Sequence, residues 1–238
     1  MASPGQYIFV ADLHLGPDSD PGGERERRFV QFLRNLPADL KGLYLLGDIF
    51  DYWMDYHDMV PRGGVRVLAA LADLAERADV WFFPGNHDWW VTDYFEKELG
   101  VHISHEPYQV FDIKGKRVLM GHGDTLGVKD AQAKLIFYVF RNKVCLTLLK
   151  MLHPYLVFRL ARNWSASSRR RHARHPYVFQ GRDAGIYHFA DEYGRTHQPA
   201  DLYIFGHLHT PVRFPVESGG ELVILGDWTQ GGEDYFSL

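Results

Sequence analysis

The sequence predicts an α/β fold, and three observations lead to this prediction. Five apolar runs of three to five residues are followed at once by glycine, proline or aspartate, as buried strands in such folds often are. These runs are residues 7–11, 43–46, 80–83, 118–120 and 202–205. Between them, residues 24–35 and 65–78 carry apolar side chains at helical spacing. The 238 residues fit one domain, residues 1–238, with room for an insertion.

The remaining segments complete this alternation of strands and helices. Their periodicity and turn residues place each element. Two of the strands above begin one residue before their apolar runs, at residues 42 and 117, and the further predicted strands are residues 108–113, 212–216 and 221–225. Strands 108–113 and 117–120 form one predicted hairpin, and strands 212–216 and 221–225 form another. The further predicted helices are residues 91–99, 130–153, 155–163 and 182–192. Residues 128–180 are predicted to be a helical insertion within the domain.

The segment between Asp130 and Asp183 is basic as well as apolar. It contains eleven of the 26 Lys and Arg residues and none of the 30 Asp and Glu residues, although the net charge of the chain is −4. Such an uneven distribution indicates that an anionic partner docks on one part of the molecule.

The composition indicates which broad class of protein the chain belongs to. With 46% hydrophobic and 24% charged residues, the chain is an ordinary globular protein. Cys145 is the one cysteine, which fits a reducing compartment. The first six residues lack the basic region of a secretory signal, and no run approaches the ~20 apolar residues of a membrane span. We therefore expect a globular, non-spanning protein.

Polar side chains that bind metal ions follow the predicted strands. Asp12 and His14 stand two residues apart, so both can reach one ion from an extended segment, and His207 and His209 repeat this spacing. Asp48 follows a glycine alone and is the best candidate for a bridging ligand. The candidate metal ligands are Asp12, His14, Asp48, Asn86, His122, His207 and His209. Carboxylates, imidazoles and an amide oxygen form the ligand set that two divalent ions about 3.5–4 Å apart require.

These motifs resemble those of the calcineurin-like metallophosphoesterases, in number and in order along the chain. The matching blocks are Asp12-Leu13-His14, Gly47-Asp48, Gly85-Asn86-His87-Asp88, Gly121-His122 and Gly206-His207-Leu208-His209. The resemblance implies a two-sheet sandwich flanked by helices, with the site at the strand ends. It also implies metal-assisted hydrolysis of a phosphate ester or anhydride.

The resemblance further assigns each candidate residue a role. One ion is held by Asp12, His14, Asp48 and His209, and the other by Asp48, Asn86, His122 and His207. His87 then contacts the phosphate or protonates the leaving oxygen, and Asp88 orients it. His87 and Asp88 are therefore the predicted catalytic residues.

A closer resemblance is to the UDP-2,3-diacylglucosamine pyrophosphatases of lipid A biosynthesis. The residues that carry it are Asp48-Ile49-Phe50-Asp51-Tyr52-Trp53 and Gly121-His122-Gly123-Asp124-Thr125-Leu126, followed by the basic insertion. That family splits an acylated UDP-sugar into UMP and 2,3-diacylglucosamine 1-phosphate (lipid X). The resemblance implies Mn²⁺ as the metal, and a peripheral location on the inner, cytoplasmic face of the cytoplasmic membrane.

The insertion is predicted to hold the substrate and to lie against an anionic membrane surface. Ten of its apolar residues are candidates for an acyl-chain groove: Leu135, Ile136, Val139, Phe140, Leu146, Leu149, Leu152, Leu156, Val157 and Phe158. The substrate contacts implied by the resemblance are Asn86, His87, Asp130, Arg162, Ser165, Arg169, His172 and His207. Three of them depart from the family pattern, because Arg169, His172 and His87 stand where many members carry Asn, Lys and Arg.

Several alternatives stay open at this point. The same core could serve a soluble phosphodiesterase, nucleotide pyrophosphatase or phosphatase, or a scaffold that has lost catalysis. The apolar insertion helices could be plain core or a dimer face, and Trp53, Trp89, Trp90 and Trp164 could be groove lining or filler. Nucleic acid is not an expected partner, because apolar residues interrupt the basic segment throughout.

Overall fold

The computed structural model describes residues 5–56, 58–128, 135, 137–139, 141–174, 177–229 and 231–238. These residues form two five-stranded sheets with helices on their outer faces. The predicted fold class, a two-sheet α/β sandwich flanked by helices, is confirmed.

The first sheet has the strand order β10-β1-β2-β3-β4. Its strands are β1 (Gln6–Val10), β2 (Leu40–Leu45), β3 (Asp79–Phe82), β4 (His102–Ile103) and β10 (Phe236–Ser237). Strands β1 to β4 are parallel, and β10 pairs with β1 in the antiparallel direction. The carboxyl ends of β1, β2 and β3 therefore lie along one edge of this sheet.

The second sheet has the order β5-β6-β7-β9-β8. Its strands are β5 (Gln109–Ile113), β6 (Lys116–Gly121), β7 (Leu202–Phe205), β8 (Val212–Pro215) and β9 (Glu221–Ile224). Strands β6, β7 and β9 are parallel, whereas β5 and β8 pair as antiparallel hairpin strands. The carboxyl ends of β6 and β7 thus lie together at one edge of the second sheet.

Six described helices complete the fold. They are α1 (Glu24–Asn35), α2 (Val65–Ala75), α3 (Tyr94–Leu99), α4 (Lys143–Lys150), α5 (Pro154–Arg174) and α6 (Gly185–Thr196). Alternate residues of β1 face opposite ways, so Ile8 and Val10 pack under α1 and α2 while Phe9 packs between the sheets. Helix α6 covers the outer face of the second sheet through Ile186 and Ala190.

The insertion differs most from its prediction. The prediction of one continuous helix over residues 130–153 is wrong. A new helix begins at Lys143, and its N-cap Asn142 accepts hydrogen bonds from the amides of Val144 and Cys145. Helix α5 begins at Pro154, a residue favoured at the first helical position, and continues well past the predicted end at residue 163. Residues 129–134, 136 and 140 lie outside the described part of the chain.

Helices α4 and α5 expose an unusual number of large apolar side chains. Val144, Leu148, Met151, Tyr155 and Leu160 are each at least 60% exposed. None of the described helices could alone cross a membrane. Taken together, α4 and residues 154–170 of α5 meet the length and composition of a span, with a bend of 120° between them.

Candidate metal centre

The strand ends of both sheets deliver the candidate ligands to one place. Asp12 and His14 follow β1, Asp48 follows β2, and His122 follows β6. Their side chains are at most 3% exposed. The edges of the two sheets therefore meet around a buried cluster of carboxylates and imidazoles.

The backbone is strained at most of these positions. Among the described residues, six that are not glycine have positive φ, and five of these are candidate ligands. They are Asp12 (54°), His14 (48°), Asp48 (52°), His207 (69°) and His209 (53°). Each such conformation costs about 1–3 kcal/mol and persists only where the surroundings impose it. The fold thus bends the backbone after three strands, β1, β2 and β7, to aim these five side chains inward.

A first group joins Asp12, His14 and His209. The Nε2 atoms of His14 and His209 are 3.3 Å apart, and His209 Nε2 lies 3.6 Å from Asp12 Oδ1. The two imidazole rings stack with their centroids 5.0 Å apart. Imidazoles whose nitrogens converge beside a carboxylate form a site that one cation fits.

A second group joins Asp48, Asn86 and His122. His122 Nε2 lies 3.6 Å from Asp48 Oδ2 and 3.3 Å from Asn86 Oδ1. The His207 ring is 5.1 Å from the His122 ring, centroid to centroid. Asp48 Oδ2 is also 3.8 Å from His14 Nε2, so this carboxylate lies between the two groups.

Two glycines make room for this arrangement. A Cβ atom on Gly85 would lie 2.2 Å from Asp48 Oδ1, and one on Gly47 would lie 2.5 Å from His122 Nδ1. Gly47 also has φ of 82°, which a side chain would strain. The glycines that precede the polar residues in the sequence are therefore required by close approach.

Burial disfavours the charged forms of most side chains in the cluster. Burial raises the pKa of Asp12 to about 7 and the pKa of Asp48 well above its ordinary value. Burial also lowers the pKa of His122 and of His207 to about 3. Among the described residues, Asp12 Oδ1 and His14 Nδ1 are buried without a hydrogen-bond partner. Two buried carboxylates and several neutral imidazoles are a donor set that divalent ions fit.

Residues outside the predicted set hold the ligands in place. Asp227 Oδ2 lies 2.9 Å from His209 Nδ1, and Asp227 Oδ1 accepts a hydrogen bond from the Thr229 hydroxyl at 2.6 Å. The buried Arg25 guanidinium donates to the carbonyl oxygens of Leu13 and His14, at 2.7 and 2.9 Å. Asp227 follows β9 as Gly226-Asp227, the same glycine–aspartate signal that marks Asp48, and could have been found by it.

The contacts of Asp88 differ from those that its predicted role implies. Both oxygens of its carboxylate accept backbone N–H groups, from Asp48, Ile49, Phe50 and Gly85, at 2.7–3.2 Å. Asp88 therefore links the loop after β2 to the loop after β3 through backbone amides, and its hydrogen bonds are not to the His87 ring.

Asp51 lies beside the His87 ring instead. His87 Nδ1 is 3.1 Å from the carbonyl oxygen of Asp51 and 3.8 Å from its Oδ1. The ring Nε2 points toward the centre, 4.0 Å from Asp48 Oδ2. Burial lowers the pKa of His87, and the Asp51 carboxylate opposes that change. Asp51 thus takes the orienting role that the sequence assigned to Asp88.

Helix α5 reaches this centre through two of its predicted substrate contacts. The Ser165 hydroxyl is buried and donates to Asp51 Oδ1 at 2.5 Å, and it is 3.3 Å from His87 Nδ1. Arg169 pairs with Asp51 and donates to Ser165 Oγ at 2.6 Å. Arg162 lies farther out and pairs with Asp18 at 3.3 Å. Asp130 and the side chain of His172 lie outside the described part of the chain.

A cavity of about 530 Å³ opens beside the centre. Its polar end is formed by Asp51, Asn86, His87 and His207. Its apolar walls include Tyr52, Trp89, Trp90, Leu149, Val157, Leu160, Ala161 and Trp164. Trp53 is different, because it is 1% exposed and packs with Phe50 and Phe95 in the core. Of the four tryptophans that the sequence left unassigned, Trp89, Trp90 and Trp164 line the cavity and Trp53 belongs to the hydrophobic core.

Comparison with known proteins shows which proteins the chain is similar to. Residues 6–211 match the family model described as calcineurin-like phosphoesterase. The chain is 36% identical to a UDP-2,3-diacylglucosamine hydrolase of Porphyromonas gingivalis, over 94% of this chain and 90% of that protein. It is 29% identical to a protein of the same name from Azotobacter vinelandii, over 94% and 91% of the two chains. A solved structure of phosphopantetheinyl hydrolase from Mycobacterium tuberculosis aligns at 16% identity and a TM-score of 0.47, over 95% and 91% of the two chains.

Proposed function

The chain belongs to the calcineurin-like phosphoesterase family, and on that premise we propose that it hydrolyses the diphosphate of UDP-2,3-diacylglucosamine. The products are UMP and 2,3-diacylglucosamine 1-phosphate (lipid X), as lipid A biosynthesis requires. The observation that carries this proposal is an apolar cavity joined directly to the candidate metal centre. A hydrolase for a water-soluble phosphodiester has no need of such walls.

Enzymes of this family use two metal ions. We assign Asp12, His14, Asp48 and His209 to one ion, and Asp48, Asn86, His122 and His207 to the other. The position of Asp48 between the two groups supports its role as the bridging ligand. When bound, the ions would polarise the phosphoryl oxygens and activate water for hydrolysis. Mn²⁺ is proposed because carboxylate, amide and imidazole ligands all suit it.

The protein residues around the centre position the substrate. His87 directs Nε2 toward the space beside Asp48 while its Nδ1 is held at Asp51. There Nε2 can contact a phosphoryl oxygen or pass a proton to the leaving oxygen. Asp88 acts as a positioning residue, because it fixes the backbone of both loops that carry Asp48 and Asn86.

Asp227→Asn is expected to lower metal affinity about 10–100-fold, since a carboxylate that orients a metal-binding histidine typically contributes that much. Titration of the metal-free protein with Mn²⁺ by calorimetry measures the effect. Asp191→Asn is the matched control, because the half-buried Asp191 carboxylate also accepts hydrogen bonds, from Arg195 and the Ser218 amide, but lies outside the candidate ligand set. Equal affinity of Asp227→Asn and wild type would contradict the role of Asp227.

The apolar walls are proposed to hold the acyl chains. Leu160 lines the cavity, whereas Leu148 is equally exposed on α4 and does not. Leu160→Asp is expected to reduce kcat/KM for UDP-2,3-diacylglucosamine at least tenfold more than for bis-p-nitrophenyl phosphate, because a carboxylate would be buried against an acyl chain. Leu148→Asp serves as the control in the same detergent assay. Equal losses on both substrates would contradict acyl-chain binding in this cavity.

Residues 128–180 are proposed to form a lid that also docks on the membrane. Apolar side chains of α4 and α5 are exposed beside Lys143, Lys150 and Arg159. Apolar groups that enter a bilayer surface next to basic residues bind anionic lipids. This supports a peripheral location on the inner face of the cytoplasmic membrane, where the acylated substrate lies.

A further inference from the structure

Helix α5 separates two recesses of opposite character. The apolar cavity lies on one side of it. On the other side is a groove of about 620 Å³, which the loop after β1 borders at Asp18. Arg159, Arg162, Arg169 and Arg170 all line this groove. One helix thus presents an apolar wall to one recess and a cationic wall to the other.

The groove adjoins the metal centre through Arg169. The Arg169 guanidinium lines the groove and also contacts Asp51 and Ser165, which both line the apolar cavity. Asp18 lies four residues after His14 in the loop that follows β1. In the same loop, the Ser19 hydroxyl donates a hydrogen bond to the His14 carbonyl oxygen at 2.6 Å. The two recesses therefore meet on the Asp51 side of the centre.

The chemistry of the groove suits a nucleotide. Arg159 and Arg170 are exposed and make no ion pair within the described part of the chain, so the groove carries uncompensated positive charge. Tyr155 is 64% exposed at the groove and offers a flat face for a base. The Asn163 amide, also in the lining, can both donate and accept hydrogen bonds, as pairing with uracil requires.

We propose that this cationic groove binds the uridine phosphate half of the substrate. The inference rests on the proposed function, in which a diphosphate at the centre joins an apolar half to a nucleotide half. If the acyl chains occupy the apolar cavity, the nucleotide leaves the centre on the other side of α5. The base and its phosphate then contact Tyr155, Arg159, Asn163 and Arg170. These contacts are additional to those that the family resemblance implies.

The test is calorimetric titration of the Mn²⁺-loaded protein with UMP and, separately, with inorganic phosphate. Arg159→Ala combined with Arg170→Ala is expected to weaken UMP binding at least tenfold, because two charge-assisted contacts to phosphate are lost. Arg62→Ala combined with Arg66→Ala removes the same charge from exposed positions near α2 and is the matched control. Tyr155→Ala is expected to weaken UMP binding and to leave the affinity for inorganic phosphate unchanged.

Two results would overturn the proposal. One is an unchanged UMP affinity of the protein with Arg159→Ala and Arg170→Ala. This holds even if that variant no longer sediments with phosphatidylglycerol vesicles. The other is an equal loss in the control variant, which would indicate a general effect of net charge. Melting temperature and metal content of each variant show whether it is folded. The wild type could fail to cleave the acylated substrate and still bind UMP at the groove. That result would refute the proposed function but not the assignment of the groove to a nucleotide.

Discussion

Asp48→Ala is expected to abolish hydrolysis and to lower metal content in the same preparation. Asp48 lies between both groups of candidate ligands, 3.8 Å from His14 and 3.6 Å from His122. On the proposed assignment, its loss removes a ligand from each ion, and the ions would supply several kcal/mol of charge stabilisation. The rate should therefore fall about 10³-fold or more. Turnover of bis-p-nitrophenyl phosphate and elemental analysis of the same samples measure the two effects.

Asp79→Ala is the matched control for this variant. Asp79 is an exposed carboxylate at the opposite end of the first sheet, so its removal changes the charge equally and leaves the centre intact. Wild-type turnover by Asp48→Ala would contradict the assignment of a shared ligand. So would full metal content in an inactive Asp48→Ala protein.

His87→Ala is expected to lower kcat while metal content stays at the wild-type level. The His87 Nε2 atom faces the centre at 4.0 Å from Asp48, and a positioned acid or base typically contributes about 10²–10⁴-fold to the rate. Single-turnover measurements on the acylated substrate isolate this step from binding. His188→Ala, at an exposed position of α6, is the control. Loss of metal from His87→Ala would show that the ring acts as a ligand.

The positions of the candidate ligands could be predicted because parallel strands end at a common edge. Asp12 and Asp48 follow neighbouring strands, and His122 and His207 follow neighbouring strands of the second sheet. Short apolar runs that stop at glycine identify such ends in the sequence. The positive φ at Asp12, His14 and Asp48 was not predictable, because it arises from contacts made between distant loops.

The supporting contacts depend on tertiary structure that no local pattern records. Asp88 is next to His87 in the sequence and Asp51 is 36 residues away, yet Asp88 accepts hydrogen bonds from backbone amides after β2, and Asp51 is the carboxylate beside the His87 ring. Strand β10 was missed because two residues carry too little periodicity. The insertion was misjudged because a helix cap at Asn142 and a proline at 154 outweigh the continuous apolar pattern.

The most direct test of the central claim is an assay of the purified protein with Mn²⁺ and UDP-2,3-diacylglucosamine in detergent. The separate products are quantified, and bis-p-nitrophenyl phosphate is assayed in parallel. The proposed function predicts stoichiometric UMP and 2,3-diacylglucosamine 1-phosphate, with kcat/KM far above that for the chromogenic ester. Rapid cleavage of the chromogenic ester without cleavage of the acylated substrate would contradict it, and would indicate a phosphodiesterase for a water-soluble substrate.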